Sequence, residues 1–277
     1  MNARLTTGEP RIISLVPSIT ELICELGLAE QLVGRTGFCI HPWEVVRHIP
    51  KVGGTKDVKL ERIRELRPTH VIVNVDENPR AVYEALTEFV PEVIITHPLC
   101  PQDNLMLYRQ LGKVFDRAQR AEQLCDQFTT ELDRLNELPR PPEQVLYLIW
   151  REPWMTVSPA TYISQILELV GWYTLPRPLV AAPLNGAASD SVQAPKPRTD
   201  PQAASAPERY PQINPRDYVG QVSRVLLSSE PYHFKEHHIG ELAALLPDAE
   251  VSLIDGELIS WYGSRAIHGL HYLGGLR

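Results

Sequence analysis

Short apolar runs of strand length alternate with stretches of helical periodicity from Ile12 almost to the last residue, which limits the chain to an α/β fold with mainly parallel sheets. Ile12 to Val16 is the first run. Ser18 follows, with Glu21 three residues on, a spacing that predicts a capping box; Ile19, Leu22, Ile23 and Leu26 would share one face of the helix it opens. Leu60 to Leu66 reads as a helix halted before Pro68, His70 to Val75 as a strand, the residues after Pro79 as a helix and Val93 to Thr96 as a strand. Strands joined through helices run parallel, and the helices cover both faces of the sheet.

The pattern changes between Arg117 and Leu138. There Ala118, Ala121, Leu124, Cys125, Phe128, Leu132 and Leu135 keep helical spacing for roughly 20 residues without Gly or Pro, enough for a helix of about 30 Å. Pro139, Pro141 and Pro142 end it. The alternation then resumes with Val145 to Trp150, Tyr162 to Val170, Arg224 to Leu227, Glu236 to Leu246, Val251 to Ile254 and a last helix from Ser264. At 277 residues the chain has room for two lobes, each burying its own core. The expected division is an N-terminal α/β lobe over 1–116, a rigid interlobe helix over 117–138 and a C-terminal α/β lobe over 139–277. Within the last, the stretch 176–211 holds eight prolines and eight alanines with almost no apolar periodicity, and predicts a mobile surface insertion.

No apolar run approaches the roughly 18 residues of a membrane span. A net charge of −7 without a basic stripe removes the signature of a nucleic-acid partner. Met1 to Arg11 is polar and lacks the apolar core and cleavage site of a secretory signal, which taken alone predicts a cytoplasmic protein. Cys24, Cys39, Cys100 and Cys125 form no CxxC pair, so neither a zinc knuckle nor a disulfide framework is expected, and Cys24 and Cys125 read as core thiols.

Polar-aromatic segments fall beside the predicted strand ends, where open α/β sheets place their ligand crevices. They are Pro17-Ser18, Gly53-Gly54-Thr55-Lys56, Asp76-Glu77-Asn78, Trp150-Arg151-Glu152-Pro153-Trp154, Ser229-Glu230-Pro231-Tyr232 and Trp261-Tyr262-Gly263-Ser264-Arg265. In this order, RIISLVPSITEL at Arg11 to Leu22, VGGTKDVKLERIRELRPTHVIV at Val52 to Val73, the long helix, WREPWMT at Trp150 to Thr156, SSEPYHF at Ser228 to Phe234 and WYGSR at Trp261 to Arg265 resemble the helical-backbone metal receptors. These are the type III solute-binding proteins of ABC importers, and the similarity is nearest to members that bind cobalamin.

The resemblance implies two α/β lobes bridged by one helix, modest hinge motion and a metal chelate held between the lobes: cobalamin or another corrinoid, with haem or a ferric siderophore as alternatives. It implies no intrinsic cofactor and a periplasmic place of work; a monomer is expected, and the amino-terminal reading leaves two alternatives, a start that lies upstream or a cytoplasmic relative that has kept the cleft and left transport. A flat macrocycle needs broad apolar walls and a few orienting polar groups. Phe38, Trp150, Trp154, Tyr232, Trp261 and Tyr262 could form the walls; Thr55, Asn78, Arg151, Glu230 and Arg265 the polar rim; Pro17 and Ser18 lie at the first strand end. Cys39 and His41, two apart in one loop, could reach an axial position on a bound metal, although a packed thiol and a helix-capping or loop-fixing imidazole are the preferred reading of them. Cobalamin receptors dock on their permease through an acidic residue on each lobe. Glu61 matches the first, whereas the second falls on Arg216, beside Asp217, so the two-sided acidic pattern is not reproduced.

An enzyme on this scaffold, such as a chelatase or a corrinoid-modifying activity, would need a catalytic constellation. The sequence holds no GxSxG elbow, no GxxxxGK[ST] loop and no HExxH. Glu77, Glu230 and His41 could be assembled into an acid–base set, but their spacing does not require it, and binding is the preferred reading. His97 and His233 have no evident role, and His237 and His238, at a helix start, are expected to be solvated.

Overall fold

The computed structural model describes residues 8–137, 141–177 and 208–276. The first part of the chain runs β1 (Ile12–Ser14), α1 (Pro17–Glu25), β2 (Leu32–Arg35), α2 (Trp43–Val46), α3 (Leu60–Leu66), β3 (His70–Asn74), α4 (Arg80–Thr87), β4 (Glu92–Thr96) and α5 (Asp103–Val114). Its strands form a parallel sheet in the order β2-β1-β3-β4. After α6 (Ala118–Asn136) come β5 (Glu143–Trp150), β6 (Met155–Thr156), α7 (Tyr162–Glu168), β7 (Trp172–Thr174), β8 (Arg224–Ser228), α8 (Glu236–Leu245), β9 (Glu250–Ile254), α9 (Gly256–Ser260) and α10 (Arg265–Gly275). These build a second sheet in the order β6-β5-β8-β9, with β7 also on β5; only β6 is antiparallel.

Side chains alternate across a strand, and in β1, β3, β5 and β8 both faces are largely buried, which is why these strands read as continuous apolar runs, while the edge strands β4 and β9 leave Ile95 and Leu253 exposed. Ile13, Leu15, Val71 and Val73 pack outward with Ile63 of α3 and Leu86 of α4. Leu146, Leu148, Val225 and Leu227 pack outward with Leu242 of α8. The opposite faces behave differently. Ile12, Ile72 and Ile94 of the first sheet and Val145, Tyr147, Leu226 and Ile254 of the second belong to one continuous core with α1, α5, α6, α7 and α10. The expectation of a separate core for each half is therefore corrected: the inner faces share one, because α6 packs along both α5 and α10. The predicted face of α6 is the one that buries, through Ala121, Leu124, Cys125, Phe128 and Leu135.

Helix α1 starts earlier than predicted. Pro17 occupies its first turn, Val16 is the N-cap and no side chain caps it, since proline's fixed φ suits that position and its missing N–H is not needed there. Ser18 thus lies inside the helix and is buried, and Glu21 pairs with Arg265 instead of closing a capping box. The predicted insertion falls mostly on residues 178–207, outside the described residues. Its end returns beside β6, where Ser158 N–H donates to the Arg209 carbonyl at 2.9 Å and Thr156 N–H to that of Pro211 at 3.1 Å. All four cysteines are free thiols.

A candidate ligand-binding cleft

The C-terminal ends of strands from both sheets open onto one cleft of ≈ 760 Å³, within the range of small-molecule sites. From the first sheet come Pro17 and Ser18 at the start of α1, Phe38 and Ile40 after β2, Thr55 ahead of α3, Asn74, Asp76 and Glu77 at the end of β3, and Pro98 after β4. Facing them are Ile149 and Trp150 at the end of β5, Met155, Tyr162 and Ile163, then Arg209 and Tyr210, Glu230 and Pro231 after β8, and Glu257, Ser260, Trp261 and Tyr262 around the end of α9.

The loop carrying Phe38 is built on a buried cation. Arg35 donates to the carbonyls of Val46 at 2.6 Å and of Thr36 and Cys39 at 3.0 Å each, so its charge is spread over three backbone acceptors. Held this way, the loop leaves Phe38 62% exposed at the cleft. Asn78 ties three cleft segments together, accepting from Asn74 N–H at 2.8 Å and donating to the carbonyls of Thr55 at 3.0 Å and Leu15 at 3.4 Å. On the far side, residues 261–264 are locked in place: Gly263 N–H donates to Asn104 at 2.6 Å, and Tyr108 O–H donates to the Gly263 carbonyl at 2.8 Å. Gly263 has φ +79, and a Cβ there would meet the Ser18 carbonyl at 3.2 Å, so a side chain would be both strained and crowded.

Carboxylates dominate the polar lining. Tyr262 O–H donates to Glu77 at 2.8 Å, and Trp261 Nε1–H donates to Glu230 at 2.9 Å, with Ser260 O–H on the same oxygen. Burial pushes Glu77 up to about 7; the Tyr262 hydrogen bond works against that shift and the Glu230 charge adds to it. Burial also raises Glu230, opposed by the Ser260 hydrogen bond. The Tyr262 phenol is raised well above its ordinary value by burial and by Glu77, so it stays protonated and keeps donating.

A carboxyl group whose pKa is higher in the folded chain favours folding while protonated, so its contribution is lost as pH rises from about 4 through 7. Glu77→Gln keeps the acceptor for Tyr262 and removes the charge. Relative to wild type, the variant should gain stability on the order of 1–3 kcal/mol at pH 8 and much less at pH 5. Urea unfolding at the two pH values measures this, and a stability difference that does not change with pH would refute the assignment.

The description "Periplasmic binding protein" belongs to the family whose model matches residues 12–172, more than half of the chain. The chain belongs to this family. Among curated relatives, the vitamin B12-binding proteins of Pectobacterium carotovorum subsp. carotovorum (strain PC1) and Pectobacterium atrosepticum are 28% and 27% identical over 165 and 168 residues, 58% of this chain in each case. The matches span 59% and 60% of those proteins' lengths. Among solved structures, the periplasmic vitamin B12 binding protein BtuF of Vibrio cholerae superposes with a TM-score of 0.75 at 16% identity, over 96% of this chain and 95% of that one. The periplasmic heme binding protein HutB of Vibrio cholerae gives a TM-score of 0.72 at 20% identity, over 96% and 98%. These superpositions establish the α/β architecture with parallel sheets.

In this member of the family the residues singled out from sequence fall into two groups. Pro17, Ser18, Phe38, Thr55, Trp150, Glu230, Trp261 and Tyr262 line the cleft. Asn78, Arg151, Trp154, Tyr232 and Arg265 do not; they stand behind its walls. Arg151 is turned to Glu241, Trp154 stacks on Phe234 with ring centres 6.0 Å apart, and Tyr232 packs edge-on against Trp150 at 5.7 Å. Arg265 is paired with Glu21 and Glu257.

Placement takes Cys39 out of the axial-ligand expectation and puts His41 beside two lining residues, Glu257 and Trp261. Cys39 is fully buried, its Sγ 3.1 Å from the Thr36 hydroxyl, and burial pushes its thiol up. His41 Nε2 lies 3.0 Å from Glu257, and its ring is edge-on to Trp261. Among the described residues no three His, Cys, Asp or Glu side chains could hold a metal ion. His238 is buried rather than solvated: its Nδ1 accepts from Lys235 N–H at 2.9 Å and its ring packs on Phe234. Glu61 is exposed in the first turn of α3, and Arg216 and Asp217 are exposed on a short 3₁₀ turn. No helix among the described residues is long and apolar enough to cross a membrane.

Tyr162, Arg209, Tyr210, Glu257 and Ser260 line the cleft but were not anticipated. Asp76 and Glu77 stood in a quoted segment at a strand end, and that position was their signal. Arg209 and Tyr210 lie at the end of the Pro/Ala-rich stretch and carried none.

Proposed function

We propose that the chain binds a corrinoid of the vitamin B12 type in this cleft, as the solute-binding component of an ABC importer, and that it is not an enzyme. The observation that carries this is the charge of the lining. Among the described lining residues Asp76, Glu77, Glu230 and Glu257 face the cleft with one cation, Arg209; Asp76 is paired with Arg209 and Glu257 with Arg265, which leaves Glu77 and Glu230 as the acids that an anionic ligand would meet. Haem brings two propionates and a ferric catecholate brings more negative charge, so either would meet like charge in a desolvated site. The rim of a corrin carries neutral amides, whose N–H groups suit carboxylate acceptors. Phe38, Trp150, Trp261 and Tyr262 supply the apolar walls that a flat macrocycle covers.

The corrinoid carries its own axial ligands, which fits a cleft without Cys39 or His41 at its centre. The two sheets act as lobes joined by α6, and Asn78, Trp154, Tyr232 and Arg265 position the walls. Docking on a permease uses Glu61 on one side and the turn at Arg216 and Asp217 on the other. The vitamin B12-binding names of the curated relatives support the same ligand class.

The test is a titration of the purified full chain with cyanocobalamin, haemin and a ferric catecholate siderophore, followed by tryptophan quenching and calorimetry. One-to-one saturable binding of cyanocobalamin, with haemin and the siderophore at least tenfold weaker, is expected. Tighter binding of haemin would overturn the proposal.

A further inference from the structure

We infer that Arg209 forms a subsite for the phosphodiester of the ligand, so that the chain selects complete corrinoids, which carry a nucleotide loop, over corrinoids that lack one. This rests on the corrinoid reading above and adds to it a residue and a subclass of ligand.

A complete corrinoid holds one anionic group, the phosphodiester that joins its side chain to the nucleotide; the remaining rim is amide. Among the described residues that line the cleft, one cation, Arg209, stands with four carboxyl residues. Arg209 reaches the cleft from a backbone fixed on the second sheet, where its carbonyl accepts from Ser158 N–H at 2.9 Å and the nearby Gln212 pairs with Met155 of β6. Its side chain crosses to the first sheet, where Nη1 donates to Asp76. The guanidinium therefore lies where a ligand spanning both walls would pass.

That guanidinium is incompletely used. Nε–H is enclosed and has no hydrogen-bond partner among the described residues. Together with Nη2 it forms the edge that takes two oxygens of a phosphate side by side. An enclosed donor without an acceptor is unfavourable, so a small rotation toward an anion in the cleft both exposes this edge and satisfies it. Asp76 can release Arg209 because other contacts hold it. His97 Nε2 lies 3.5 Å from its second oxygen, Lys56 donates to its carbonyl at 2.7 Å, and the Asn74 side chain accepts from its N–H at 2.8 Å. Phosphate and Asp76 are then alternative partners of one cation.

Calorimetry of the full chain with cyanocobalamin and with dicyanocobinamide, which lacks the nucleotide loop and its phosphate, tests this in wild type and in Arg209→Gln. Wild type should favour cyanocobalamin by tenfold or more, and that preference should shrink as salt is raised. Arg209→Gln should weaken cyanocobalamin by about 10- to 100-fold and dicyanocobinamide by less than threefold, removing both the preference and its salt dependence. Asp76→Asn, which frees the guanidinium, should keep or increase the preference. Equal weakening of both corrinoids by Arg209→Gln would show that Arg209 only braces the walls and would overturn the subsite while leaving the corrinoid reading intact. Binding of neither corrinoid to wild type would overturn both.

Discussion

Replacing Arg265 by Met lowers the unfolding free energy by about 3 kcal/mol and the midpoint of thermal unfolding by roughly 6–12 °C. Arg265 opens α10 and donates Nε and Nη2 to Glu21 of α1 at 2.7 and 2.8 Å and Nη1 to Glu257 of α9 at 2.9 Å. The three side chains are only 15%, 17% and 25% exposed. The cation also lies 4.8 Å from the centre of the Trp261 ring. Removing it leaves Glu21 with little water and no counter-charge and Glu257 with only the His41 imidazole, and that penalty exceeds the worth of the pair itself. The triple variant Glu21→Gln, Glu257→Gln, Arg265→Met removes the orphaned charges and should recover most of the loss. Calorimetric melts of the two variants decide the matter; a shift below about 2 °C in the single variant would mean that solvent already screens this site.

Trp261→Ala should weaken corrinoid binding by about 10- to 150-fold, or about 1.4–3 kcal/mol, through lost wall area and stacking. The indole is 9% exposed, at the edge of the cleft, and its N–H is one of two donors that hold Glu230. Truncation therefore removes a wall and loosens a carboxylate at once. Trp261→Phe separates the two effects, because it keeps most of the wall and loses only the donor, and it should cost less than tenfold. Affinities of both variants within twofold of wild type would reduce Trp261 to a packing residue.

The central strands β1, β3, β5 and β8 were legible because they are buried on both faces, which writes them as unbroken apolar runs between proline and glycine signals. Two elements that break this rule were not anticipated. β2 (Leu32–Arg35) contains Gly34 and a buried arginine, neither of which reads as strand. α5 (Asp103–Val114) buries Asn104 and Gly112 among its apolar residues, blurring its helical period. The shared inner core was hidden as well, since periodicity shows that a face is buried and says nothing of what lies against it.

The cleft divides in the same way. Aromatic residues beside strand ends were visible, yet proximity along the chain does not separate Trp150, which lines the cleft, from Trp154 four residues on, which stacks behind it on Phe234. Cys39 and His41 share a loop, and only the fold shows that Arg35 pulls the backbone of that loop inward while Phe38 turns out.

The core common to both sheets has a consequence for how occupancy is announced. Helices that serve two sheets at once tie their bases together, so little freedom is left for a wide opening and shutting of the cleft. The difference between the empty and the filled molecule then lies at its mouth, where Phe38 and Trp150 stand 62% and 40% exposed and would be covered by cargo. On the proposed function, a membrane partner would recognise the filled molecule by the texture of its rim, greasy when vacant and capped when loaded, more than by any change of outline.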